Sequence, residues 1–275
     1  MCRLAWAGNT RVKPRTQASL AVSADGAHWT LLNASPDLRA QIQAQPRLHP
    51  QGDARGSPIA AVVLTGAEID QTAGLLSLRE RTAFSLHGTA ATLAAVADNP
   101  MFGALAADVV TRHAVVPGAR FSLCGVELEL FVVPGKVPLY LEGDDPETAS
   151  ESAANVGVEV SAGGARLIYM PGAAAMSAAL RRRLADADVI FFDGTLFTDD
   201  EMIRTGTGTK TGRRMGHMPL VGDGGTLAAL ADLKARRILT HINNTNPILI
   251  ADSAERRQVE SAGFEVAEDG MEVAL

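Results

Sequence analysis

Residues 188–220 read DVIFFDGTLFTDDEMIRTGTGTKTGRRMGHMPL, and residues 236–249 read RRILTHINNTNPIL. Two apolar runs stand out, Val189–Phe192 and Ile238–Thr240. Neither alternates with polar residues, which is the pattern of strands covered on both faces in a parallel sheet. Each run delivers a polar residue at its C-terminal end, Asp193 from the first and His241 from the second. Between them lies a Gly/Thr/Arg-rich loop that closes on Gly216-His217-Met218-Pro219. Layered α/β proteins bind ligands beyond the C-terminal ends of their strands. Asp193, His217 and His241 are therefore the first candidates for one site.

Working outward, the same strand-then-helix grammar recurs. Ala18–Ser23 and Trp29–Asn33 alternate around Asp25-Gly26, a hairpin signal. Ser35-Pro36-Asp37 then suits a helix start, with Ser35 as N-cap, Pro36 at the first position and the helix running to about Gln45. Asp37 and Arg39 fit either a loop facing a site or a cap with a surface ion pair. Ile59–Thr65 reads as a buried strand that leads through Gly66-Ala67-Glu68-Ile69-Asp70-Gln71 into a helix over Thr72–Arg79. Ala83–His87 reads as a strand, Thr89–Asn99 as a helix, and Phe121–Val133 as two strands around Gly125. Pro134–Pro138 is a turn, Leu139–Glu142 a strand, Asp144–Ser152 a solvated acidic loop, and Asn155–Ser161 with Ala165–Tyr169 a second hairpin. Pro171-Gly172 opens a helix to about Ala185. A helix over Thr226–Lys234 precedes the strand into His241, and a helix and a strand end the chain. Two strand-rich halves, each finishing in helices, predict one αββα four-layer sandwich of mixed α/β (α+β) class, with helices outside two packed sheets.

Composition bounds the function. The 275 residues are 47% hydrophobic and 20% charged, with 25 Lys+Arg against 31 Asp+Glu for a net charge of −6. That balance gives no support to nucleic-acid binding or a membrane-surface role. No apolar run approaches the roughly 18 residues of a membrane span, and no signal-peptide pattern is present, so a cytoplasmic protein is expected. The two cysteines, Cys2 and Cys124, do not make a disulfide framework. The opening MCRLAWAGNTRVKPRTQ reads like the middle of a domain. Cys2 fits either the last member of a Cys cluster lying upstream or a frayed terminus with an inert thiol.

The stretch VVLTGAEIDQTAGLLSLRE (62–80) sits where metallo-β-lactamase-fold proteins carry a strand–loop–helix metal motif, His-x-His-x-Asp-His followed by Gly-Leu. More closely, the chain resembles the pyrroloquinoline quinone (PQQ) biosynthesis protein B family, a branch of that superfamily. The matching segments are PRTQASLAVSADG, LLNASPDLR, VPGKVPLYLE and the two stretches quoted at the outset. They span essentially the whole chain. The resemblance implies a metallo-β-lactamase-like sandwich. It also implies an upstream strand, a Gly-rich loop and a Cys-rich structural zinc site, of which only Cys2 has a counterpart. A truncated protein or a misassigned start codon would each account for that. The metal motif is eroded, with Gly66 and Glu68 at the first two histidine positions and Asp70-Gln71 in place of Asp-His. An amide is a poor zinc or iron ligand beside imidazole.

From the resemblance, Asp70, Gln71, His217, His241 and Asp193 are the expected metal positions. From the residues alone, Asp70 equally suits a helix N-cap, and His241 a satisfied core histidine. His217 fits ligand, proton donor or substrate binder, and Asp193 fits a ligand or a carboxylate orienting His217 or His241. Lys136 stands where many superfamily members keep a metal-binding histidine. An ammonium cannot ligate, so the two-metal hydrolase site is disfavoured. Lys136, Lys210, Arg213 and Arg214 are instead expected to hold an acidic substrate, against the alternative of a solvated basic loop.

The resemblance implies an Fe(II)-dependent, oxygen-using hydroxylase acting on the tyrosine-derived ring of the cross-linked Glu–Tyr precursor of PQQ. Zinc is the alternative metal, and His217 and Asp193 are the expected catalytic residues. A carrier that binds PQQ or its precursor and assists its transport is the second reading. A phosphodiesterase-type hydrolase is the third, disfavoured by the missing histidines. The expected partners are the dipeptide-like precursor and PQQ, with a homodimer left open.

Overall fold

The structure is a computed structural model that describes residues 1–52, 56–144 and 146–275. Its first half supplies β1 (Leu20–Val22), β2 (Trp29–Leu32), β3 (Ile59–Val63), β4 (Phe84–Gly88) and β5 (Val110–Ala114). These form one sheet in the order β1-β2-β3-β4-β5, with β1 antiparallel to β2 and the rest parallel. The second sheet holds β6 (Arg120–Leu123), β7 (Val126–Val132), β8 (Val156–Ala162), β9 (Ala165–Met170), β10 (Val189–Asp193), β11 (Arg236–Thr240) and β12 (Phe264–Val266). Its order is β12-β11-β10-β9-β8-β7-β6, parallel from β12 to β9 and antiparallel from there to β6. The helices are α1 (Cys2–Trp6), α2 (Leu38–Ala44), α3 (Ile69–Thr72), α4 (Ala90–Ala97), α5 (Ala178–Ala185), α6 (Glu201–Arg204), α7 (Thr226–Ala229) and α8 (Ala254–Ser261).

The continuous apolar runs are explained by what each face meets. On β10, Val189 and Phe191 point into the layer between the sheets, while Ile190 and Phe192 point to the layer under α5 and α8. Successive side chains of a strand face opposite ways, so a strand apolar on both faces needs cover on both. On β3, Val63 enters the inter-sheet layer with Leu32, while Val62 and, just past the strand, Leu64 pack under α2 and α4. Tyr169, Ile238, Leu128 and Leu130 complete the middle layer. The result is the four-layer αββα sandwich, the metallo-β-lactamase fold. No helix among the described residues is long and apolar enough to cross a membrane.

Several local expectations are corrected. Leu139–Glu142 is no strand. Leu139–Leu141 is a 3-10 turn, closed by the Leu141 amide donating to the Pro138 carbonyl at 2.8 Å, and no neighbouring strand pairs with it. The helix expected from Pro171 begins at Ala178, capped by Ser177. Before it, the amides of Ala173 and Ala174 donate to Asp193 Oδ2 and the Pro134 carbonyl, which ties this stretch to the strand end and to the turn after β7. The helix expected to reach Lys234 stops at Ala229, and the Arg237 guanidinium satisfies the carbonyls of Leu230 and Ala231 just beyond it. Asp37, not Ser35, precedes α2, and the Ser35 hydroxyl bonds Gln41 instead. Helix over Thr72–Arg79 resolves into α3 followed by a 3-10 stretch, Ala73–Leu78. β5 and α1 were not expected from local pattern.

Candidate functional site

Register places the site. Asp193 pairs with Thr240 across β10 and β11, so Asp193 and His241 leave adjacent parallel strands at the same end. The Gly194 amide donates to the Thr240 carbonyl at 2.7 Å, and a Cβ at Gly194 would lie 3.0 Å from that oxygen. His241 sits at φ 55°, a left-handed conformation costing on the order of 1–3 kcal/mol for a non-glycine residue. The loop between the strands returns to the sheet through a bridge between Leu196 and Pro219 and the Met218 amide on the Ala173 carbonyl, which fixes His217 beside them. Gly216, at φ +86°, makes the turn where a Cβ would meet Lys136 at 3.2 Å. Asp70 arrives from the other sheet, in the first turn of α3 beyond β3.

The four groups form one network centred on a residue absent from the sequence-based set, Thr195. Asp193 is fully buried, and its Oδ2 accepts from His217 Nδ1 at 2.7 Å and from the Ala173 amide. Its Oδ1 accepts from the Thr195 amide at 3.0 Å and the Thr195 hydroxyl at 2.6 Å. Having given its single proton to Asp193, the hydroxyl accepts from His241 Nδ1 at 2.8 Å. Both Nδ1 atoms are thus protonated and tied back to a buried carboxylate, which turns both Nε2 atoms away from it. His241 Nε2 meets Asp70 Oδ2 at 2.6 Å, and the two rings stack with centroids 5.2 Å apart. Burial disfavours the charged form of His241, but the hydrogen bond and charge of Asp70, with the charges of Asp193 and Glu68, outweigh it and raise its pKa to about 9. Burial likewise pushes Asp70 and Asp193 up, and their histidine partners bring both below the ordinary carboxylate value.

A cavity of about 500 Å³ opens over this network, lined by Asp70, Gln71, Lys136, Lys210, His217 and His241 among others. Gln71 is buried, with Oε1 accepting from the Glu68 amide at 3.2 Å. Its amide oxygen is thereby spent on capping α3. Lys136 Nζ lies 3.0 Å from Glu68 and 2.7 Å from Glu142. Glu142 also faces Lys210 at 3.6 Å and Arg214 at 3.4 Å. Arg213 does not join them: its guanidinium donates to the Asp223 carbonyl. The loop backbone turns consecutive arginines apart, and sequence cannot say which one faces inward. Asp37 accepts from the Gln17 amide, Arg39 is exposed, and neither lines the cavity.

Thr195 and Glu142 are the functional groups that sequence reading missed. Thr195 carries a signal, since Asp193 with Thr195 two residues on makes an Asx-type turn at a strand end. Glu142 carries none, because its place depends on Lys210 and Arg214, distant in the chain, as well as on Lys136.

The donor chemistry fits one metal ion. Two imidazoles with oriented Nδ1–H groups and a nearby carboxylate match the set used by mononuclear non-haem iron sites and by zinc. Among the described residues, Asp193, His217 and His241 bring potential ligand atoms within 4.8 Å of one another. Cys2, on α1, and Cys124, in the turn after β6, are both unpaired.

Residues 28–242 match the family model described as the β-lactamase superfamily domain. Over its whole length the chain is 52% identical to a coenzyme PQQ synthesis protein B of Methylorubrum extorquens, covering 93% of that protein. The crystal structure of Zn(2+)-bound PqqB from Methylobacterium extorquens matches with a TM-score of 0.98 and 52% identity, covering all of this chain and 92% of that one. A diphosphatase from the PhnP family matches with a TM-score of 0.66 at 19% identity over 96% of this chain and 86% of that one, a likeness of fold alone.

Proposed function

The chain belongs to the coenzyme PQQ synthesis protein B family and serves PQQ biosynthesis, and from that premise we propose that it is a mononuclear metal-dependent, oxygen-using hydroxylase. Its substrate on this reading is the tyrosine-derived ring of the cross-linked Glu–Tyr precursor, in the cytoplasm. The observation that carries the reading is the Asp193–Thr195 anchor. It holds two imidazoles by their Nδ1–H groups beside Asp70 at the floor of a cavity. His217, His241 and Asp70 would hold the ion. An Fe(II) bound there would supply oxygen activation, the chemistry that two-histidine, one-carboxylate sites with open positions support. Zinc suits the same donors.

The rest is done by the chain itself. Asp193 and Thr195 fix the tautomers and aim the rings. Lys136 and Lys210, which line the cavity, with Arg214 beside them on Glu142, neutralise the carboxylates of the precursor and set its ring toward the histidines. The Lys136–Glu68 ion pair occupies the positions where the resemblance places two histidines of the two-metal hydrolases, which argues against hydrolysis.

The commitment of Gln71 to the α3 cap favours a second reading, a carrier of PQQ or its precursor. With that donor spent, the site rests on three ligands. The experiment loads the protein with Fe(II) without oxygen, adds the precursor, then admits oxygen. Oxygen uptake with a product heavier by one oxygen atom supports the hydroxylase. Stoichiometric PQQ binding with no uptake at any iron loading supports the carrier.

A further inference from the structure

The cations meant for a ligand's carboxylates already hold one. Lys136 Nζ is 2.7 Å from Glu142 Oε1, while Lys210 Nζ at 3.6 Å and Arg214 Nη1 at 3.4 Å face Oε2. The Glu142 side chain is only 7% exposed beneath them. The close contact with the Lys136 ammonium and the surrounding positive charges hold its carboxyl below the ordinary range, so it is ionised at neutral pH.

The segment that brings Glu142 there has little else to hold it. The turn Leu139–Leu141 buries none of its residues, and Leu139, Tyr140 and Leu141 are 58%, 47% and 52% exposed. Its ties are polar: the Leu139 amide on Glu68 Oε1, the Tyr140 hydroxyl on the Ala67 carbonyl, and the Glu142 ion pairs. Between buried Pro138 and Glu142 the turn itself buries no side chain and is tied by polar contacts, so it moves at low cost.

We propose that Glu142 is a specificity-determining residue: it occupies the cavity's carboxylate subsite as an internal competitor and admits only ligands that carry two or more carboxylates. The inference rests on the reading of Lys136, Lys210 and Arg214 as acid-binding groups. Three cations against Glu142 and Glu68 leave one net positive charge around Glu142, with Lys136 and Lys210 lining the cavity. A tethered group competes at an effective concentration in the millimolar range. One carboxylate on a dilute ligand replaces Glu142 like for like and gains nothing. A second or third carboxylate engages the surplus charge and the cations together, and tips the exchange.

The test is calorimetric titration of wild type, Glu142→Gln and Glu142→Ala with benzoate, isophthalate and trimesate, which carry one, two and three carboxylates on one ring. The amide variant keeps the side-chain shape, so the test survives if the alanine variant does not fold. Wild type is expected to bind trimesate best, isophthalate more weakly and benzoate not at all. Both variants should bind benzoate measurably and trimesate about tenfold more tightly, the internal competitor being gone. Trimesate binding that is weakened in both variants would make Glu142 a clamp that positions the cations, and unchanged binding would deny it any part. Either result overturns the inference while leaving the cations as acid binders. If no carboxylate binds to wild type or variants, that underlying reading falls as well. Titrations are repeated after passage over chelating resin. Binding lost by that step is binding to a metal and counts against the proposal.

Discussion

A proton should compete with the metal at His241, and the structure sets the size of the effect. In the metal-free protein His241 Nε2 donates to Asp70 Oδ2 at 2.6 Å, and the imidazole pKa is raised to about 9. A metal at Nε2 must displace that proton. Apparent affinity for Zn²⁺ or Fe(II) should therefore rise about tenfold per pH unit above pH 7, about 50-fold by pH 9, and level off above the pKa. Binding at pH 7.5 should release about one proton from this residue per metal. Asp70→Asn removes the main cause of the raised pKa and leaves burial to lower it, so its affinity should be weaker throughout but nearly flat over the same range. Calorimetry in buffers of different ionisation enthalpy counts the protons, and a competing chelator reads the affinities. Metal affinity that is the same within threefold at pH 7 and pH 9 in wild type, with no proton released, would refute the argument that His241 is both the protonated partner of Asp70 and a ligand.

The same pair sets a stability profile for the metal-free chain. His241 has a folded pKa above its ordinary 6.5, so its contribution is complete below pH 6.5 and is lost as pH rises through about 9, amounting to about 3 kcal/mol at about 1.4 kcal/mol per pH unit. The melting temperature of wild type relative to Asp70→Asn should fall across that window, and a constant difference would count against it. His87 acts in the opposite sense. It is buried against His113 and Phe121 with an unpaired Nε2, and burial with the charge of His113 lowers its pKa to about 4. Stability is complete above pH 6.5 and is lost as pH falls toward 4, and His87→Phe should flatten that acid limb in chemical denaturation. Thr195→Val should lower metal affinity by about 10–100-fold, with Thr195→Ser restoring most of it, since a hydroxyl that orients a ligand is worth that much. Equal affinity in the valine variant would remove Thr195 from the positioning network. Gln71→His should raise metal retained after dialysis but cost about 1 kcal/mol in the metal-free protein through the lost α3 cap. Equal, near-stoichiometric metal in both forms would show that position 71 does not reach the ion.

The sandwich, the strands into Asp193 and His241, and the family were legible in sequence because each depends on local or linear information. A run such as VIFF declares cover on both faces without naming what covers it. The strand-end pattern brought Asp193, His217 and His241 together, whereas Asp70, from the other half of the chain, joined them only through the resemblance. Tertiary structure alone decided which atoms do what. It made Asp193 the anchor of two imidazoles through Thr195 and spent the Gln71 amide on a helix cap. It turned Arg214 toward Glu142 and Arg213 away, and made Leu139–Leu141 a turn that carries Glu142 under three cations. Strands announce themselves by periodicity because their backbone geometry repeats. A loop side chain has no period, and its direction follows from long-range hydrogen bonds and ion pairs that exist only once the two sheets have packed.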